Sequence, residues 1–320
     1  MPASLVNIMT AVIVLENCKD PDNITITADK KLYEEFEEYE YQDDLRYGEI
    51  WDGDELTVTD YLYAMMLTSS CEASNILAYY FGNQNISAFV EMMNAKAKEI
   101  GAEHTVFANP HGLYDSKQVT TAKDMSLITQ YALTVPGFEE IATAEEYEVH
   151  PKSYVTVHED PWTWTHSNII MSAASDFYVY GVKGIKTGNL QLSGRNIVTM
   201  GTYDGIKYLL VLLNAPFYDE NGNSKYYHII DACNFMEWVF DNFEYKELLS
   251  EGEEIAEVKV ENSDGNGYVL VKPEEDVSTL WYNEVDVTSI QKNIKLYDSV
   301  QAPVKKIRSL EKLSLSFLMK

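Results

Sequence analysis

The sequence predicts a mixed fold of the α/β (α+β) class, with a helical block, then an antiparallel sheet, then a small β domain. Apolar residues recur at helical spacing as far as Ala132, and runs of period two follow between Tyr147 and Leu213. After Leu249 only short strand-like runs remain. A length of 320 residues suits one large domain and a smaller one. The sequence therefore predicts a first domain over 1-250 and a C-terminal β domain over 251-320, divided near Glu251-Gly252.

Helices are predicted where an apolar stripe lies between a capping residue and a stop signal. The first is almost wholly apolar, as expected of a buried helix. A helix capped by Thr59 and a helix ending at a left-handed Gly82 flank a short polar turn. The acidic, Tyr-rich stretch 33-55 is expected to be an exposed excursion. The predicted helices are Leu5 to Asn17, Thr59 to Thr68, Glu72 to Phe81, the segment from Asn85 to Gly101, and one that opens with a capping box at Thr121-Ala122-Lys123-Asp124.

Strands are predicted where apolar and polar residues alternate. One more helix, Tyr226 to Phe243, separates the strands of the two predicted domains. The predicted strands are Tyr147–His150, Tyr154–His158, Asn196–Thr202, Tyr208–Leu213, Ile255–Val260, Tyr268–Val271, Val277–Trp281 and Asn293–Tyr297.

Charge and cysteine content exclude several classes of function. The chain carries 24 Lys+Arg against 51 Asp+Glu, a net charge of -27, so its surface repels phosphate backbones and no nucleic-acid partner is expected. Cys18, Cys71 and Cys233 lie far apart and form no metal-ligand pattern, so we expect neither a disulfide framework nor a metal site. Nothing in the sequence indicates a cofactor.

Three segments of the sequence contain motifs of the kind that carry catalytic or substrate-binding residues. Pro2-Ala3-Ser4-Leu5-Val6-Asn7-Ile8-Met9-Thr10-Ala11 resembles "PASxTKIMTA". The run from Met65 to Ala78 resembles "LLLPSGNDAAxALA", and Gly181 to Gly188 closely matches "GVDGIKTG". Between the motifs, Phe107 to Leu113 resembles "FxNPxGL", and Thr121 to Met125 resembles "TAxDM". Downstream, the runs from Leu248 to Val260 and from Leu296 to Leu315 look like the C-terminal β domain that accompanies these phrases. Because the resemblance thus covers essentially the whole chain, the protein resembles the serine-type D-alanyl-D-alanine carboxypeptidases, the low-molecular-mass penicillin-binding proteins of peptidase family S11.

The resemblance implies a set of site residues, two of which depart from the family. Ser4 takes the place of the acylated nucleophile, and Asn7 takes the place of the lysine that accepts its proton. A carboxamide is not basic; at most it could hold Ser4 by a hydrogen bond. Ser69 matches the serine of the Ser-x-Asn motif, where Cys71 replaces an asparagine that helps to position substrate and lysine.

The third motif is intact. By resemblance, Lys186 and Thr187 face the terminal carboxylate of the substrate, and Gly188 lets the backbone approach closely. The backbone amides of Ser4 and Asn189 are expected to form the oxyanion hole.

Other interpretations of the same residues remain open. Ser4 could be no more than a helix N-cap, and Cys71 either a small buried residue or a substitute thiol nucleophile. His111 and His166 are the candidates for a replacement base, and the resemblance instead implies that His111 lies in a structural loop. Ser-x-x-Lys alone carries little information, since Ser289 to Lys292 and Ser309 to Lys312 also fit it in the wrong context.

The family implies a penicillin-binding/β-lactamase-like transpeptidase fold, an extracytoplasmic location at the cell envelope, and peptidoglycan stem peptides ending in D-Ala-D-Ala as partners. β-Lactams are expected partners if acylation is retained. The chain shows no signal peptide, no N-terminal hairpin and no C-terminal anchor of the kind that family members carry, so we expect two N-terminal strands to be missing. The sequence thus predicts a catalytically impaired carboxypeptidase, with a non-catalytic peptidoglycan-binding pseudoenzyme or a truncated gene product as the alternative.

Overall fold

The structure of the protein is a computed structural model, which describes residues 1–155, 158, 162–265, 267–285, 290–294, 296–304 and 313–317. The chain forms two compact units, Met1–Glu237 and Trp238–Lys320. The predicted domain boundary near residue 250 stays a prediction. No helix in the described part of the chain is long and apolar enough to cross a membrane.

Helix α1 (Val6–Asn17) lies at the centre of the first unit, where several other helices pack against it and its residues from Val6 to Val14 are all buried. A 3-10 turn over Ala3–Leu5 leads into it, and a π-helical turn over Ala64–Thr68 continues α2. Such a helix, apolar on every side, forms the centre of the core rather than one wall of it. The helices are α1 (Val6–Asn17), α2 (Val58–Tyr63), α3 (Cys71–Phe81), α4 (Ile86–Ile100), α5 (Ala122–Ala132), α6 (Phe138–Ala142) and α7 (Tyr227–Asn242).

The sheet that positions the site has three antiparallel strands in the order β5-β6-β7. A bulge between Lys183 and Ile185 interrupts the pairing of β5 with β6. Within the described residues, β7 pairs with β6 alone, so its other edge is free of strand partners. The strands of the first unit are β1 (Thr25–Thr27), β2 (Glu55–Thr57), β3 (Glu146–Glu148), β4 (Thr163–Thr165), β5 (Val182–Leu190), β6 (Gly194–Tyr203) and β7 (Ile206–Ala215). β1 pairs with β2, and β3 pairs with β4.

The second unit is built from β pairs. β8 (Phe243–Leu249) pairs with β11 (Val277–Tyr282), and β12 (Ile290–Ile294) pairs with β14 (Leu313–Phe317). β9 (Ala256–Glu261) lies between β10 (Tyr268–Val271) and β13 (Ser299–Gln301), antiparallel to the first and parallel to the second. The predicted mixed fold with a C-terminal β domain is confirmed.

Several local predictions differ from the structure. α2 is capped by Thr57, whose hydroxyl and Asp60 form a capping box, so the helix starts earlier than predicted from Thr59. Gly82 follows α3 with φ -85, so its predicted left-handed stop is wrong. Gly101 does end α4 in the left-handed region. The predicted strand over 154–158 includes residues 156 and 157, which lie outside the described residues.

The acidic stretch 33-55 is exposed at many of its residues, as its composition predicted, but it is also anchored by buried ones. Phe36, Leu45 and Ile50 are buried, and so is the carboxylate of Asp44. Trp164 Nε1 donates to Gly48 O at 2.9 Å. The buried apolar side chains hold the stretch against the rest of the first unit. Because they are widely spaced among charged residues, the composition of the stretch did not indicate their burial.

Candidate active site

Ser4 lies in the 3-10 turn that opens α1, and it is half-buried. Two glycines allow other segments to approach it closely. A Cβ on Gly188 would lie 3.1 Å from Ser4 N, and one on Gly112 would lie 2.3 Å from Ala3 O. Ala3 itself has φ 50, a left-handed conformation that an L residue adopts at a cost. The turn is therefore held between β5 and the loop that contains Gly112.

Asn7 lies one turn further along α1 and is completely buried. Its Nδ2 donates to Ser74 Oγ and to Pro110 O, each at 3.1 Å, and its Oδ1 has no hydrogen-bond partner. In the described part of the chain, Asn7 makes no hydrogen bond to the Ser4 hydroxyl. Asn7 thus anchors α1 to its neighbours, and the hydrogen bond to Ser4 that the sequence allowed is not formed.

The side chains of Ser69 and Lys186 are joined by a hydrogen bond. Ser69 follows the π-helical turn with φ 65, and its hydroxyl accepts a hydrogen bond from Lys186 Nζ on β5. Lys186 Nζ also donates to Thr187 O at 3.3 Å. The second and third motifs are therefore in direct contact in the folded chain.

Lys186 is 0 % exposed, which is rare for a lysine. Burial lowers the pKa of its ammonium to about 7, because removal from water penalises the charged form. Near neutral pH a large share of Lys186 is therefore the neutral amine, which has a lone pair to accept a proton.

Cys71 begins α3 and packs in a small apolar cluster with Ala3, Leu113 and Leu190. Its Sγ lies 3.9 Å from Ser69 O, and burial raises the pKa of the thiol to about 12. A buried thiol that stays protonated is a poor nucleophile. The structure supports Cys71 as a small packing residue rather than a substitute nucleophile.

Thr187 and Asn189 follow Lys186 on β5. The Thr187 hydroxyl shares a hydrogen bond of 2.6 Å with Ser167 Oγ, and the carbonyl oxygen of Gly188 accepts from Asn196 Nδ2 at 3.2 Å. The Oδ1 of Asn189 is buried without a partner. These contacts fix the strand's geometry next to Ser4.

The two candidate replacement bases are both internal. Burial lowers the pKa of His111 to about 3 and that of His166 to about 4, so both are neutral. His111 Nδ1 accepts from Leu113 N, and His166 Nδ1 accepts from Asn168 N. Both rings therefore stabilise the loops in which they lie by accepting backbone hydrogen bonds.

The acidic stretch borders this site, which the sequence did not reveal. Gln191 N, just beyond β5, donates to Asp44 Oδ1 at 3.0 Å, and Cys71 N donates to Arg46 O at 2.9 Å. Glu72 Oε1 accepts from Gly48 N at 2.6 Å. The acidic stretch thus makes hydrogen bonds to residues at the ends of both the second and the third motif. These residues come together only in the folded chain.

Comparisons with known proteins find matches along most of the chain. Residues 1–217 match the family described as D-alanyl-D-alanine carboxypeptidase, and residues 243–317 match the C-terminal domain of penicillin-binding protein 5. The fold is similar to that of penicillin-binding protein 5 from Haemophilus influenzae, with a TM-score of 0.71 and 22% identity over 100% of this chain and 86% of that one.

Two curated relatives indicate how far the similarity extends. D-alanyl-D-alanine carboxypeptidase DacF of Bacillus subtilis is 25% identical over 98% of this chain and 75% of its own length. DacA of Haemophilus influenzae is 27% identical over 68% of this chain, which spans half the length of that relative. With the first family match covering most of the chain, the protein belongs to the D-alanyl-D-alanine carboxypeptidase family.

Proposed function

We propose that the protein binds peptidoglycan stem peptides ending in D-Ala-D-Ala at the cell envelope and cleaves the terminal D-alanine slowly through an acyl-Ser4 intermediate. The observation that carries this proposal is that β5 contacts both the Ser4 turn and Ser69. Gly188 packs against the backbone amide of Ser4. Lys186, two residues earlier on β5, donates a hydrogen bond to the Ser69 hydroxyl. These contacts support the binding half of the proposal.

Asn7 is the reason to expect slow chemistry. An amide cannot accept the proton of Ser4, and this amide is turned away toward Ser74 and Pro110. Removal of one member of a nucleophile-base unit costs roughly ten-thousandfold to a millionfold in other hydrolases. We therefore expect turnover far below that of a family member with an intact first motif.

Cys71 weighs less in this argument than Asn7. Solved structures of the Streptomyces K15 DD-transpeptidase include alanine mutants of a serine and of a cysteine two positions further on. Ser69 and Cys71 have the same spacing. A cysteine two positions after a serine therefore also occurs in a protein called a DD-transpeptidase. We accordingly attribute most of the expected loss of rate to Asn7.

The test separates binding from cleavage. The full chain is incubated with a tripeptide ending in D-Ala-D-Ala, and released D-alanine is measured beside calorimetric binding of the same peptide. We expect measurable binding together with slow release that disappears in Ser4→Ala. No binding by the folded protein would overturn the proposal.

The second candidate is a binding protein without turnover. It is favoured because Asn7, within the described residues, makes no hydrogen bond to the Ser4 hydroxyl. Fluorescent penicillin distinguishes the two candidates. Covalent labelling that is lost in Ser4→Ala excludes the non-catalytic protein. Binding of the peptide without labelling and without D-alanine release would establish it.

A further inference from the structure

The buried side chain of Lys186 is not explained by carboxylate binding alone. Among the described residues no ion pair joins it to a carboxylate, although the chain carries 51 Asp+Glu. A buried ammonium without a counter-ion is costly, and the cost is relieved when the amine loses its proton. The fold therefore holds an amine that is able to change its protonation state beside a serine hydroxyl.

The geometry directs this amine toward Ser4. Side chains two residues apart on a strand point to the same face, so Lys186 shares a face of β5 with Gly188. Gly188 is the residue whose added Cβ would lie 3.1 Å from Ser4 N. Ser69 accepts a hydrogen bond from Lys186 Nζ and therefore lies on the side of β5 that faces the Ser4 turn.

We propose that Lys186, acting through the hydroxyl of Ser69, takes over the proton transfer that the family assigns to the lysine replaced by Asn7. The proposal rests on the proposed acyl-Ser4 chemistry and adds the route of the proton. It gives the second and third motifs a role that the family leaves to the first.

The transfer balances without any further reactant. As Ser4 Oγ bonds to the carbonyl carbon, the carbonyl electron pair moves to its oxygen. The Ser4 proton passes to Ser69 Oγ while the Ser69 proton passes to the lone pair of Lys186 Nζ. The electron pair on the oxygen then re-forms the carbonyl bond of acyl-Ser4 and the C–N bond breaks. The relay runs backwards, and the ammonium of Lys186 returns a proton through Ser69 to the departing amine of D-alanine.

The charged and titratable groups around Lys186 are compatible with this role. Cys71, at the start of α3, would favour the ammonium only as a thiolate, and burial keeps it a thiol. His166, beside Gly184 of β5, is neutral. Neither group therefore fixes the charge of Lys186, which is free to respond to pH and to the substrate.

The test measures the rate of acylation by benzylpenicillin, using mass spectrometry of the intact full-length chain from pH 5.5 to 8.5. For a base that is half neutral near pH 7, the rate should rise roughly 30-fold between pH 5.5 and 8 and then level off. Lys186→Arg keeps a cation beside Ser69 but cannot give up its proton, so acylation should fall at least about 100-fold. Lys186→Met is the matched variant without charge and should fall equally.

The decisive variant is Asn7→Lys in the Lys186→Arg background. A lysine at position 7 supplies a base of its own, so acylation should recover although Lys186 is absent. A flat pH profile in the wild type, full activity in Lys186→Arg, or no recovery in the folded double variant would each overturn the relay. If the wild type binds a D-Ala-D-Ala peptide but is never acylated at any pH, the relay is refuted while the binding half of the proposed function stands.

Discussion

Asn7→Ala tests whether Asn7 is only an anchor of α1. The substitution removes two hydrogen bonds of 3.1 Å, to Ser74 Oγ and Pro110 O. Buried hydrogen bonds contribute about 1 kcal/mol each, so their loss alone would cost about 2 kcal/mol of unfolding free energy. The same change removes the buried Oδ1, which has no partner and itself costs about 1–3 kcal/mol.

Both former partners of Asn7 keep other hydrogen bonds. Pro110 O still accepts from Thr10 Oγ1 at 2.8 Å, and Ser74 Oγ still donates to Ser70 O at 2.8 Å. We therefore expect Asn7→Ala to change the unfolding free energy by no more than about 1 kcal/mol. Acylation of Ser4 should be unchanged, because the amide makes no hydrogen bond to it.

Thr10→Ala is the matched control, since Thr10 is also fully buried on α1 and bonds to the same carbonyl. It removes a hydrogen bond and a methyl group without removing an unpartnered atom, so it should cost about 2 kcal/mol. Urea unfolding followed by circular dichroism gives both values. A loss of 3 kcal/mol or more in Asn7→Ala, or a fall in Ser4 acylation, would show that Oδ1 is engaged and that Asn7 holds the nucleophile.

The remaining predictions concern titration of other buried groups. Because burial raises the pKa of Cys71 to about 12, iodoacetamide at pH 8 should leave Cys71 unmodified in the folded chain and alkylate it in urea, as peptide mass spectrometry will show; modification of the folded chain would contradict this. Burial also raises the pKa of Glu72 to about 7 from an ordinary value of 4.5. The native state therefore binds more protons than the unfolded state between these values, and the contribution of Glu72 to stability is lost as pH rises through about 7. Urea unfolding should accordingly show that Glu72→Gln gains roughly 2–3 kcal/mol on the wild type between pH 5 and pH 8; a pH-independent difference would contradict the assignment.

The larger features of the fold were predictable from short-range patterns. Helical spacing, caps such as Asn85 and Thr121, and the alternation in β6 and β7 are all local in the sequence. Positions such as Gly82 were misjudged because a glycine permits a left-handed stop without requiring one. Burial of the acidic stretch depends on Phe36, Leu45 and Ile50 reaching distant partners, and local composition carries no signal for that.

The motifs nominate the residues of the candidate site but do not predict their contacts. The motifs placed Ser4, Ser69 and Lys186 in one site, and the fold unites the three segments. The orientation of Asn7 could not be predicted, because Pro110 and Ser74 are distant in sequence and compete with Ser4 for the same amide. The loss of charge by Lys186 likewise depends on complete burial, which only the assembled structure shows.

The central claim is that the site formed by the three motifs lacks chiefly the base at position 7. The most direct test is the rate of Ser4 acylation by benzylpenicillin in Asn7→Lys combined with Cys71→Asn. A restored base should accelerate acylation roughly 100- to 10,000-fold over the wild type. An unchanged rate in the folded double variant would contradict the claim and place the defect elsewhere in the structure.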